Sequence, residues 1–305
     1  MSTIGRVVVT GGAGFVGSRV VRTLIEQGIE VVVFDSLISG SRDQVPDGVE
    51  LIIGDVRNPE ALEKAFAGAT HILHLAALIS VPESVRDPLP TLDVNISGTR
   101  TVFEAARAAG VHRVVYASSA AVYGNDPELP KREDMTPRPE SPYAQSKVQN
   151  EIDAALLTEE SGIPTIGLRF FNIYGKGQPS NHAYASVIPR WVRALKQGDD
   201  IHVYGDGEQT RDFIDVRDIA SAVCMALSSS VTGARIYNVA SGTKISLREL
   251  KDILSKVSGK QIAWVQHPAR EGDIQDSVAD ITAIQEGIGF SSKVSLEDGI
   301  TDILT

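Results

Sequence analysis

The amino-acid sequence predicts an α/β fold: a doubly wound parallel sheet with helices on both faces, followed by a smaller C-terminal α/β lobe. In the first half of the chain, short β-branched runs alternate with segments of helical length, and a glycine-rich turn follows the first run. These runs are apolar throughout, which is typical of strands buried on both faces of a parallel sheet. Alternating strands and helices with short connections indicate a Rossmann-type sheet.

The strands and helices of this sheet can be placed one by one. The β-branched runs predict strands at residues 6–10, 30–34, 50–53, 71–75, 113–117 and 165–170. The segments between them predict helices at 18–27, 59–66 and 95–109. Beyond residue 171 the pattern changes, and it predicts a helix at 185–196, strands at 200–204 and 235–239, and a helix at 246–255. We therefore assign residues 1–170 to the main domain and 171–305 to a smaller, interleaved lobe, with part of 212–240 returning to the main sheet.

Composition and charge narrow the classes of function. The chain has 305 residues and a formal net charge of −10, so it carries no basic footprint for nucleic acid. Its single cysteine, Cys224, excludes an intramolecular disulfide and a cysteine zinc cluster, and its six histidines form no metal-ligand spacing, so we expect no metal. Residues 1–6 show no secretory signal, and no apolar run is long enough to span a membrane. We expect a cytoplasmic protein with no membrane partner.

The turn after the first strand has the pattern of a dinucleotide site. Residues 10–17 read Thr-Gly-Gly-Ala-Gly-Phe-Val-Gly, so Gly12, Gly14 and Gly17 satisfy G-x-G-x-x-G, while Gly11, Gly14 and Gly17 satisfy G-x-x-G-x-x-G. Glycines permit a tight turn and close approach of the backbone to a pyrophosphate, and the following helix offers N–H groups and a positive dipole end. The strand–turn–helix context favours a cofactor site over a glycine-rich turn without a ligand.

The second strand favours NAD as the cofactor. It leads to Asp35, which stands 18 residues after Gly17. A carboxylate at this point accepts hydrogen bonds from both ribose hydroxyls and repels a 2′-phosphate, so NAD is preferred over NADP. Arg42 is near enough in sequence to keep NADP open. Asp55, after the third strand, is placed either to meet the adenine edge or to cap the next helix.

A tyrosine and a lysine at helical spacing provide a candidate general base. The sequence Tyr-Ala-Gln-Ser-Lys follows Pro142, a residue typical of a helix start, and it places Tyr143 and Lys147 on one helical face. A free tyrosine has a pKa near ~10, but a neighbouring ammonium and a positive nicotinamide favour the phenolate. The pair alone could be a surface contact. Ser118 and Ser119, however, end the fifth strand, where ligands bind in open α/β sheets, and either could hydrogen-bond the reacting hydroxyl.

With these elements in this order, the chain resembles the extended short-chain dehydrogenases/reductases, in particular the NAD-dependent epimerase/dehydratase group, over nearly its whole length. The resemblance assigns the active serine to Ser119, four residues before the tyrosine of the Val-Tyr-Gly segment, and the catalytic pair to Tyr143 and Lys147. It also implies a homodimer built on a four-helix bundle from the helices near 95–109 and 143–160. An apolar stripe fits either that bundle or the subunit's own sheet: Val148, Ile152, Ala155 and Leu156.

The resemblance implies a complete set of site residues. The cofactor-binding residues are Gly11, Gly14, Phe15, Val16, Gly17, Asp35, Ser36, Gly40, Asp55, Val56, Leu75, Ala76, Ala77, Tyr143 and Lys147. The substrate-binding residues are Ser80, Ser119, Tyr143, Asn172, Val187, Tyr204, Arg211, Arg270, Asp273 and Ser277. Asn172 looks like the contact to the substrate pyrophosphate. The stretch 204–213 resembles a uridine-binding segment, and 270–273 resembles the second arginine and the ribose-binding aspartate. Each arginine taken singly could be a surface ion pair.

The residues beside the active serine favour epimerisation within this group. Dehydratases and decarboxylases of the group carry an acid just after the serine position, whereas this chain has Ala120 and Ala121. No cysteine lies in the catalytic stretch, which disfavours 3,5-epimerase chemistry. The resemblance then implies a UDP-hexose 4-epimerase: Tyr143 takes the C4 hydroxyl proton as NAD takes the C4 hydride, the 4-keto sugar turns over, and both are returned to the opposite face. The alternatives are a nucleotide-sugar 4-ketoreductase and, outside enzymology, a cofactor-sensing binding protein.

The identity of the hexose depends on a small residue. In UDP-galactose 4-epimerases, the residue four positions after the aspartate of the Arg-Glu-Gly-Asp run limits the 2-substituent, and here it is Ser277. Residues 80–84 and 181–189 also look like those of N-acetylhexosamine 4-epimerases. The sequence therefore favours interconversion of UDP-GlcNAc and UDP-GalNAc, with UDP-Glc and UDP-Gal as a second pair. A UDP-glucuronate 4-epimerase stays open as an alternative.

Overall fold

The chain alternates strands and helices over the part that the structure describes. The structure, a computed structural model, describes residues 4–180, 186–269 and 274–305. Its strands are β1 (Arg6–Thr10), β2 (Glu30–Asp35), β3 (Glu50–Ile53), β4 (His71–His74), β5 (Arg113–Ser119), β6 (Thr165–Phe170), β7 (Asn172–Tyr174), β8 (Ile201–Tyr204), β9 (Thr210–Arg211), β10 (Phe213–Asp215), β11 (Ala234–Val239), β12 (Ile245–Ser246) and β13 (Trp264–His267). Its helices are α1 (Phe15–Glu26), α2 (Pro59–Phe66), α3 (Val81–Arg86), α4 (Pro88–Leu92), α5 (Gly98–Ala109), α6 (Pro142–Ser161), α7 (Val187–Gln197), α8 (Val216–Ser228), α9 (Leu247–Ser258), α10 (Thr282–Ile288) and α11 (Leu296–Leu304).

A parallel sheet forms the centre of the molecule. Within the described ranges it has seven strands, in the order β11-β6-β5-β4-β1-β2-β3. The chain runs outward from β1 to β3 and then continues on the other side of β1 through β4, so the strand order reverses between β1 and β4. In open α/β sheets a crevice for ligands lies at the carboxyl ends of the strands at such a reversal. The predicted doubly wound parallel sheet is confirmed.

Helices cover both faces of this sheet. On one face α1 and α8 pack together, and the apolar cluster there includes the fully buried Leu24 and Val223. On the other face α2, α5 and α6 cover a cluster that includes Phe66 and Val102, which are also fully buried. Burying such a side chain stabilises the fold by roughly 1.5–3 kcal/mol. The apolar strands of the sequence therefore account for a sheet that is buried on both sides.

A separate hydrophobic cluster organises the C-terminal elements. It brings together α7, β8, α9 and α11, with the fully buried Trp191 and Leu250 among its members. Strand β8 pairs in parallel with β13, and β10 pairs in parallel with β7. Although α8 and β11 come late in the chain, α8 packs against α1 and β11 forms an edge of the central sheet. The domain boundary between residues 170 and 171 stays a prediction.

Local capping determines several helix ends and corrects some predicted bounds. Helix α1 begins at Phe15 rather than at residue 18, because Gly14 adopts an extended N-cap conformation. Helix α9 starts with a reciprocal capping box between Ser246 and Glu249 and runs to Ser258, three residues beyond the prediction. The segment predicted as one helix at 95–109 has a π-helical turn, Asp93–Ser97, before α5. The short helices α3 and α4 were not predicted.

Two structural properties concern membrane spanning and metal binding. Among the described residues, no helix combines the length and the apolar character needed to cross a membrane. In the same part of the chain, no group of three or more histidine, cysteine, aspartate or glutamate side chains could hold a metal ion.

Candidate active site

The glycine-rich turn between β1 and α1 lies directly against the end of β4. Gly11 has a φ of +73°, and a Cβ atom there would lie 2.6 Å from the backbone nitrogen of Ala76. At Gly17 a Cβ atom would overlap the carbonyl oxygen of Gly11. Gly14 occupies the N-cap of α1 and has no side chain to cap it, so the first N–H groups of the helix, at Phe15 and Val16, are presented to a ligand. The turn is thus shaped for close approach of an anionic pyrophosphate.

Asp35 is held in place at the end of β2. Its carboxylate accepts hydrogen bonds from the backbone N–H groups of Ala13, at 3.0 Å, and of Leu37, at 2.8 Å. Gly40 lies against the same turn, since a Cβ atom there would be 2.8 Å from the Ala13 carbonyl oxygen. Asp35 is 7% exposed, while the adjacent Ser36 is exposed. A fixed carboxylate beside the glycine turn fits a dinucleotide whose adenosine ribose carries two free hydroxyls.

Asp55 lies at the same edge of the sheet but is engaged by its neighbour. Its carboxylate accepts hydrogen bonds from the backbone N–H and Nε of Arg57, each at 2.9 Å. The bond to the Arg57 side chain lowers the pKa of Asp55, so this group stays charged. The N-cap of α2 is Asn58, whose side chain accepts from the Ala61 N–H at 3.0 Å. The alternative that Asp55 caps this helix is therefore wrong, and its adenine contact, like that of the buried Val56, stays a prediction.

A buried hydrogen-bonded chain supports the end of β4, where Leu75, Ala76 and Ala77 are half-buried. Thr10 Oγ1 lies 2.7 Å from His74 Nδ1, and His74 Nε2 lies 2.9 Å from Thr99 Oγ1. Thr99 donates its own proton to a backbone carbonyl, so His74 donates through Nε2 and accepts at Nδ1. Burial lowers the pKa of His74 to about 3. This histidine is therefore a neutral structural element of the core.

The predicted catalytic residues come together at the carboxyl end of β5. Ser119 lies close enough to the Tyr143 side chain for its hydroxyl to lower the pKa of the tyrosine. The Lys147 Nζ donates to the Ala117 carbonyl oxygen at 2.9 Å and lies 5.8 Å from the centroid of the Tyr143 ring. Helix α6 can begin directly before Tyr143 because Ser141 caps it, accepting from the Ala144 N–H at 3.1 Å. Serine, tyrosine and lysine thus occupy one site.

Burial acts in opposite directions on the catalytic pair. It raises the pKa of Tyr143, and the nearby Ser119 hydroxyl opposes that rise. It lowers the pKa of Lys147 to about 8, and the negative charge of Glu151 opposes that fall. With a pKa of about 8, the ammonium of Lys147 is still largely charged at neutral pH but loses its proton more readily than an exposed lysine. Because the buried tyrosine keeps its proton more firmly than in water, Tyr143 becomes a base when positive charge adjoins it, from Lys147 and from a bound nicotinamide.

Sequence reasoning missed a residue that connects three parts of this site. Asn95 lies in the π-helical turn, where its side chain accepts from the Leu78 N–H at 2.8 Å and donates to the Leu78 carbonyl at 2.9 Å. Its amide also donates to Ser146 Oγ at 3.1 Å, and Ser146 donates to the Tyr143 carbonyl at 2.7 Å. Asn95 thereby ties the segment after β4 to the catalytic helix. Turns of this kind are frequent at functional sites.

Several predicted substrate residues line one cavity in the C-terminal part of the site. The cavity has a volume of about 240 Å³, and its lining includes Asn172, Val187, Tyr204 and Arg211. It also includes Arg190, which sequence reasoning missed, so two guanidinium groups border the same space. Its walls are polar and aromatic as well as positively charged. Such a space suits a nucleotide diphosphate.

The remaining predicted substrate residues lie apart from this lining. Ser80 is the N-cap of α3 and accepts from the Glu83 N–H at 3.3 Å. Ser277 is half-buried in a segment held on both sides, since Thr210 donates to Asp276 at 2.6 Å and the Ala279 N–H donates to Asp212 at 3.2 Å. Arg270 and Asp273 lie outside the described residues, as does the run 181–185.

A tyrosine–lysine pair beside a dinucleotide turn, on a doubly wound sheet, defines the class of nicotinamide-dependent enzymes that move a proton and a hydride at one carbon. The family model of the NAD dependent epimerase/dehydratase family matches residues 7–240, and the chain belongs to this family. The predicted resemblance is confirmed. So are the predictions of an NAD-dependent enzyme and of NAD as its cofactor.

Similar proteins span nearly the whole chain. A putative UDP-glucose 4-epimerase of Methanocaldococcus jannaschii is 34% identical over 98% of this chain and 97% of its own. A solved UDP-N-acetylglucosamine 4-epimerase from Methanobrevibacter ruminantium, in complex with UDP-N-acetylmuramic acid, superposes with a TM-score of 0.94 at 35% identity, covering 99% of this chain and 97% of that one. The UDP-glucose 4-epimerase of Thermus thermophilus with NAD has a TM-score of 0.90 at 36% identity, covering 98% and 97%. The predicted isomerase class is confirmed.

Proposed function

We propose that this chain is an NAD-dependent 4-epimerase of UDP-hexoses that interconverts UDP-GlcNAc and UDP-GalNAc, and UDP-Glc and UDP-Gal as a second pair. The observation that carries the reaction is the buried Lys147 beside the ring of Tyr143, with the Ser119 hydroxyl near the same tyrosine. The observation that carries the sugar preference is the small Ser277 in a fixed segment. Relatives named as UDP-glucose and UDP-N-acetylglucosamine 4-epimerases support this proposal.

Different residues of the cofactor site are proposed to bind different parts of NAD. We assign the pyrophosphate to Gly11, Gly14, Phe15, Val16 and Gly17, the adenosine ribose to Asp35, Ser36 and Gly40, the adenine to Asp55 and Val56, and the nicotinamide side to Leu75, Ala76, Ala77, Tyr143 and Lys147. NAD held by these residues would supply reversible hydride transfer at C4 of the sugar.

The side chains around C4 handle the proton. The Tyr143 phenolate takes the proton of the C4 hydroxyl and later gives it back, and the nearby Ser119 hydroxyl holds the same substrate oxygen. The ammonium of Lys147 stabilises the phenolate. The 3-10 turn Ala120–Tyr123 packs Ala120 and Ala121 beside Ser119, and neither side chain can protonate a leaving group. This favours proton and hydride transfer at C4 over elimination of water.

The cavity bordered by Arg190 and Arg211 is the proposed site of the UDP moiety. A guanidinium can donate two parallel hydrogen bonds to phosphate oxygens, which makes Arg211 the proposed diphosphate ligand. Asn172, Val187 and Tyr204 line the same space. Arg270 and Asp273 keep their proposed roles as the second arginine and the ribose-binding carboxylate.

Ser277 is the proposed determinant of the 2-substituent, together with Ser80 as a sugar contact. The backbone around Ser277 is fixed by the bonds of Asp276 to Thr210 and of Ala279 to Asp212. Such a segment cannot readily move aside for a larger side chain. A bulky residue at this position would therefore fill the space that an acetamido group needs.

The test of the sugar preference is the Ser277→Tyr variant. We expect kcat/KM for UDP-GlcNAc to fall by roughly 100-fold or more, about 3 kcal/mol, the scale of a group that no longer fits its pocket. The kcat/KM for UDP-Glc should change by less than about threefold. Thr243→Tyr, at an exposed position, is the control for surface bulk. Equal losses for both sugars would remove Ser277 as the determinant.

We also propose that the enzyme is a homodimer. Ile152 and Leu156, on α6, are 50% and 47% exposed, and they stand four residues apart on one helical face. Val148, by contrast, packs against a buried cluster of its own subunit. Two large apolar side chains on the exposed face of α6 support pairing with the same face of a second copy.

A further inference from the structure

One carboxylate of the catalytic helix, that of Glu151, lies buried beneath the catalytic residues. Glu151 follows Lys147 by four positions and Tyr143 by eight, so the three share one face of α6. Glu151 is 7% exposed. Its Oε1 accepts from Ser118 Oγ at 2.5 Å and from Arg169 Nε at 2.8 Å, and its Oε2 accepts from Arg169 Nη2 at 2.8 Å. A carboxylate so tightly held keeps its position.

Arg169 is in turn fixed by the surrounding structure. It extends from β6, is 2% exposed and donates through Nη1 to the Tyr123 hydroxyl at 2.8 Å. Tyr123 donates to the Asn238 side chain at 2.6 Å. Since the planar guanidinium meets both oxygens of Glu151 in a bidentate pair, the carboxylate cannot rotate toward other partners. The Glu151–Arg169 ion pair and Ser118 together form a fixed hydrogen-bonded group below the catalytic residues.

We propose that Glu151 is a positioning residue for the Tyr143–Lys147 pair: its carboxylate, fixed by Arg169 and Ser118, keeps the buried ammonium of Lys147 charged. This inference rests on the proposed epimerase function. Lys147 has lost most of its water, and the partner that its Nζ has on the sheet is the neutral carbonyl of Ala117. A carboxylate one helical turn away supplies the opposite charge that a buried ammonium needs.

The other ionisable groups near this pair do not replace that carboxylate. His74, on β4, is neutral because burial lowers its pKa to about 3. Tyr116, on β5, is fully buried, and burial raises its pKa well above the usual value, so it carries no negative charge. Arg169 is itself a cation. Tyr143 becomes negative during catalysis but depends on Lys147 for its own charge.

These charges determine the direction in which the pKa of Lys147 should change when Glu151 is neutralised. Removing the negative charge of Glu151 while Arg169 stays positive lowers the pKa of Lys147 below its value of about 8. The neutral amine then appears at lower pH, and the phenolate of Tyr143 loses its support. We expect a shift of roughly one pH unit, as for an opposite charge within a few Å. At a pH above the Lys147 midpoints of both the wild-type protein and the variant, a shift of one unit lowers the ratio of charged to neutral Lys147 roughly tenfold.

The experiment measures Lys147 directly in the NAD-loaded protein. Lysine labelled with ¹³C at Cε is followed by NMR during a pH titration, and the Lys147 signal is assigned by its loss in Lys147→Met. In Glu151→Gln the midpoint of this signal should fall by roughly one pH unit. The alkaline limb of kcat for UDP-Glc epimerisation should move to lower pH by the same amount. Glu151→Asp, which keeps the charge, should restore much of both values.

A matched control lies on the same helix. Asp153 is 9% exposed and forms a bidentate pair with Arg100, at 2.8 and 3.3 Å, away from the catalytic residues. Asp153→Asn should leave the Lys147 midpoint and the alkaline limb unchanged. If Glu151→Gln does not fold because Arg169 is left unpaired, the double variant Glu151→Gln/Arg169→Gln removes both charges and still predicts a lower midpoint.

The outcomes separate this inference from the proposed function. An unchanged Lys147 midpoint in the folded Glu151→Gln or double variant overturns the positioning role, whatever the enzyme's rate. An equal shift in Asp153→Asn overturns it too, because the effect would then be general to the helix. If no UDP-hexose is epimerised by the wild-type enzyme while the midpoint still falls, the proposed function fails and the charge relation between Glu151 and Lys147 stands.

Discussion

Asp212 anchors the substrate side of the molecule, and its removal should be strongly destabilising. This carboxylate lies between β9 and β10 and is 0% exposed. It accepts hydrogen bonds from the Ser241 N–H at 2.8 Å and hydroxyl at 2.7 Å, the Gly242 N–H at 3.0 Å, and the Ala279 N–H at 3.2 Å. One side chain therefore joins β9, the end of β11 and the segment that carries Ser277.

The size of the stability loss follows from the hydrogen-bond donors that Asp212→Ala leaves without an acceptor. Three backbone N–H groups lose their acceptor, and each unsatisfied buried donor costs about 1–3 kcal/mol. Their sum is roughly 3–9 kcal/mol, and water entering the vacated space brings the expected loss to the lower half, about 3–6 kcal/mol. With about 2 °C for each kcal/mol in a chain of this size, Tm should fall by roughly 6–12 °C.

The assay is thermal unfolding followed by far-UV circular dichroism, with urea unfolding as a second measure. Asp212→Asn keeps one acceptor oxygen and should lose less stability than Asp212→Ala. Asp134→Ala is the control, because that side chain is 76% exposed and pairs with Arg132 at the surface; it should stay within about 0.5 kcal/mol of wild type. A loss below about 1 kcal/mol in Asp212→Ala would refute the reasoning.

Three further predictions concern the catalytic base, the cofactor and the assembly. Tyr143→Phe keeps the ring and loses the proton-transfer group, so we expect kcat to fall roughly 10²–10⁴-fold with Tm nearly unchanged, measured by product formation and thermal unfolding. Asp35→Ala removes the carboxylate at the ribose site, so the Kd for NAD should rise roughly 10–100-fold and the preference over NADP should shrink, measured by calorimetry; an unchanged NAD/NADP ratio would contradict this assignment. Ile152→Asp with Leu156→Asp should convert a dimer to a monomer in sedimentation, whereas a wild-type monomer would remove the proposed interface.

The cofactor side of the site could be predicted because its signals are local. The glycine turn, Asp35 and the Tyr143–Lys147 spacing lie within short stretches whose geometry follows from one strand or one helix. Strands β1, β3 and β6 have the predicted bounds, and the apolar runs of β1 and β3 each end at a glycine. Where a function depends on neighbours in sequence, pattern and spacing are sufficient.

The supporting contacts could not be predicted because they join distant segments. Asn95 reaches Leu78 and Ser146 through a π-helical turn, and nothing in the helical periodicity of 95–109 marks that turn. The spacing of Glu151 from Lys147 was visible in the sequence, but its partner Arg169 comes from another element, and only the folded sheet brings the two together. Asp212 is similar, since its donors lie about 30 and 67 positions away.

The most direct test of the central claim is product analysis with the purified protein. UDP-GlcNAc, UDP-Glc and UDP-glucuronate would be incubated separately, without and with added NAD, and the products resolved by NMR. We expect UDP-GalNAc to form from UDP-GlcNAc, with UDP-Gal from UDP-Glc, and no net change in NADH. If all three sugars stay unchanged with NAD present, while a 4-keto sugar is reduced by NADH or NADPH, the enzyme is a ketoreductase and the epimerase proposal is contradicted.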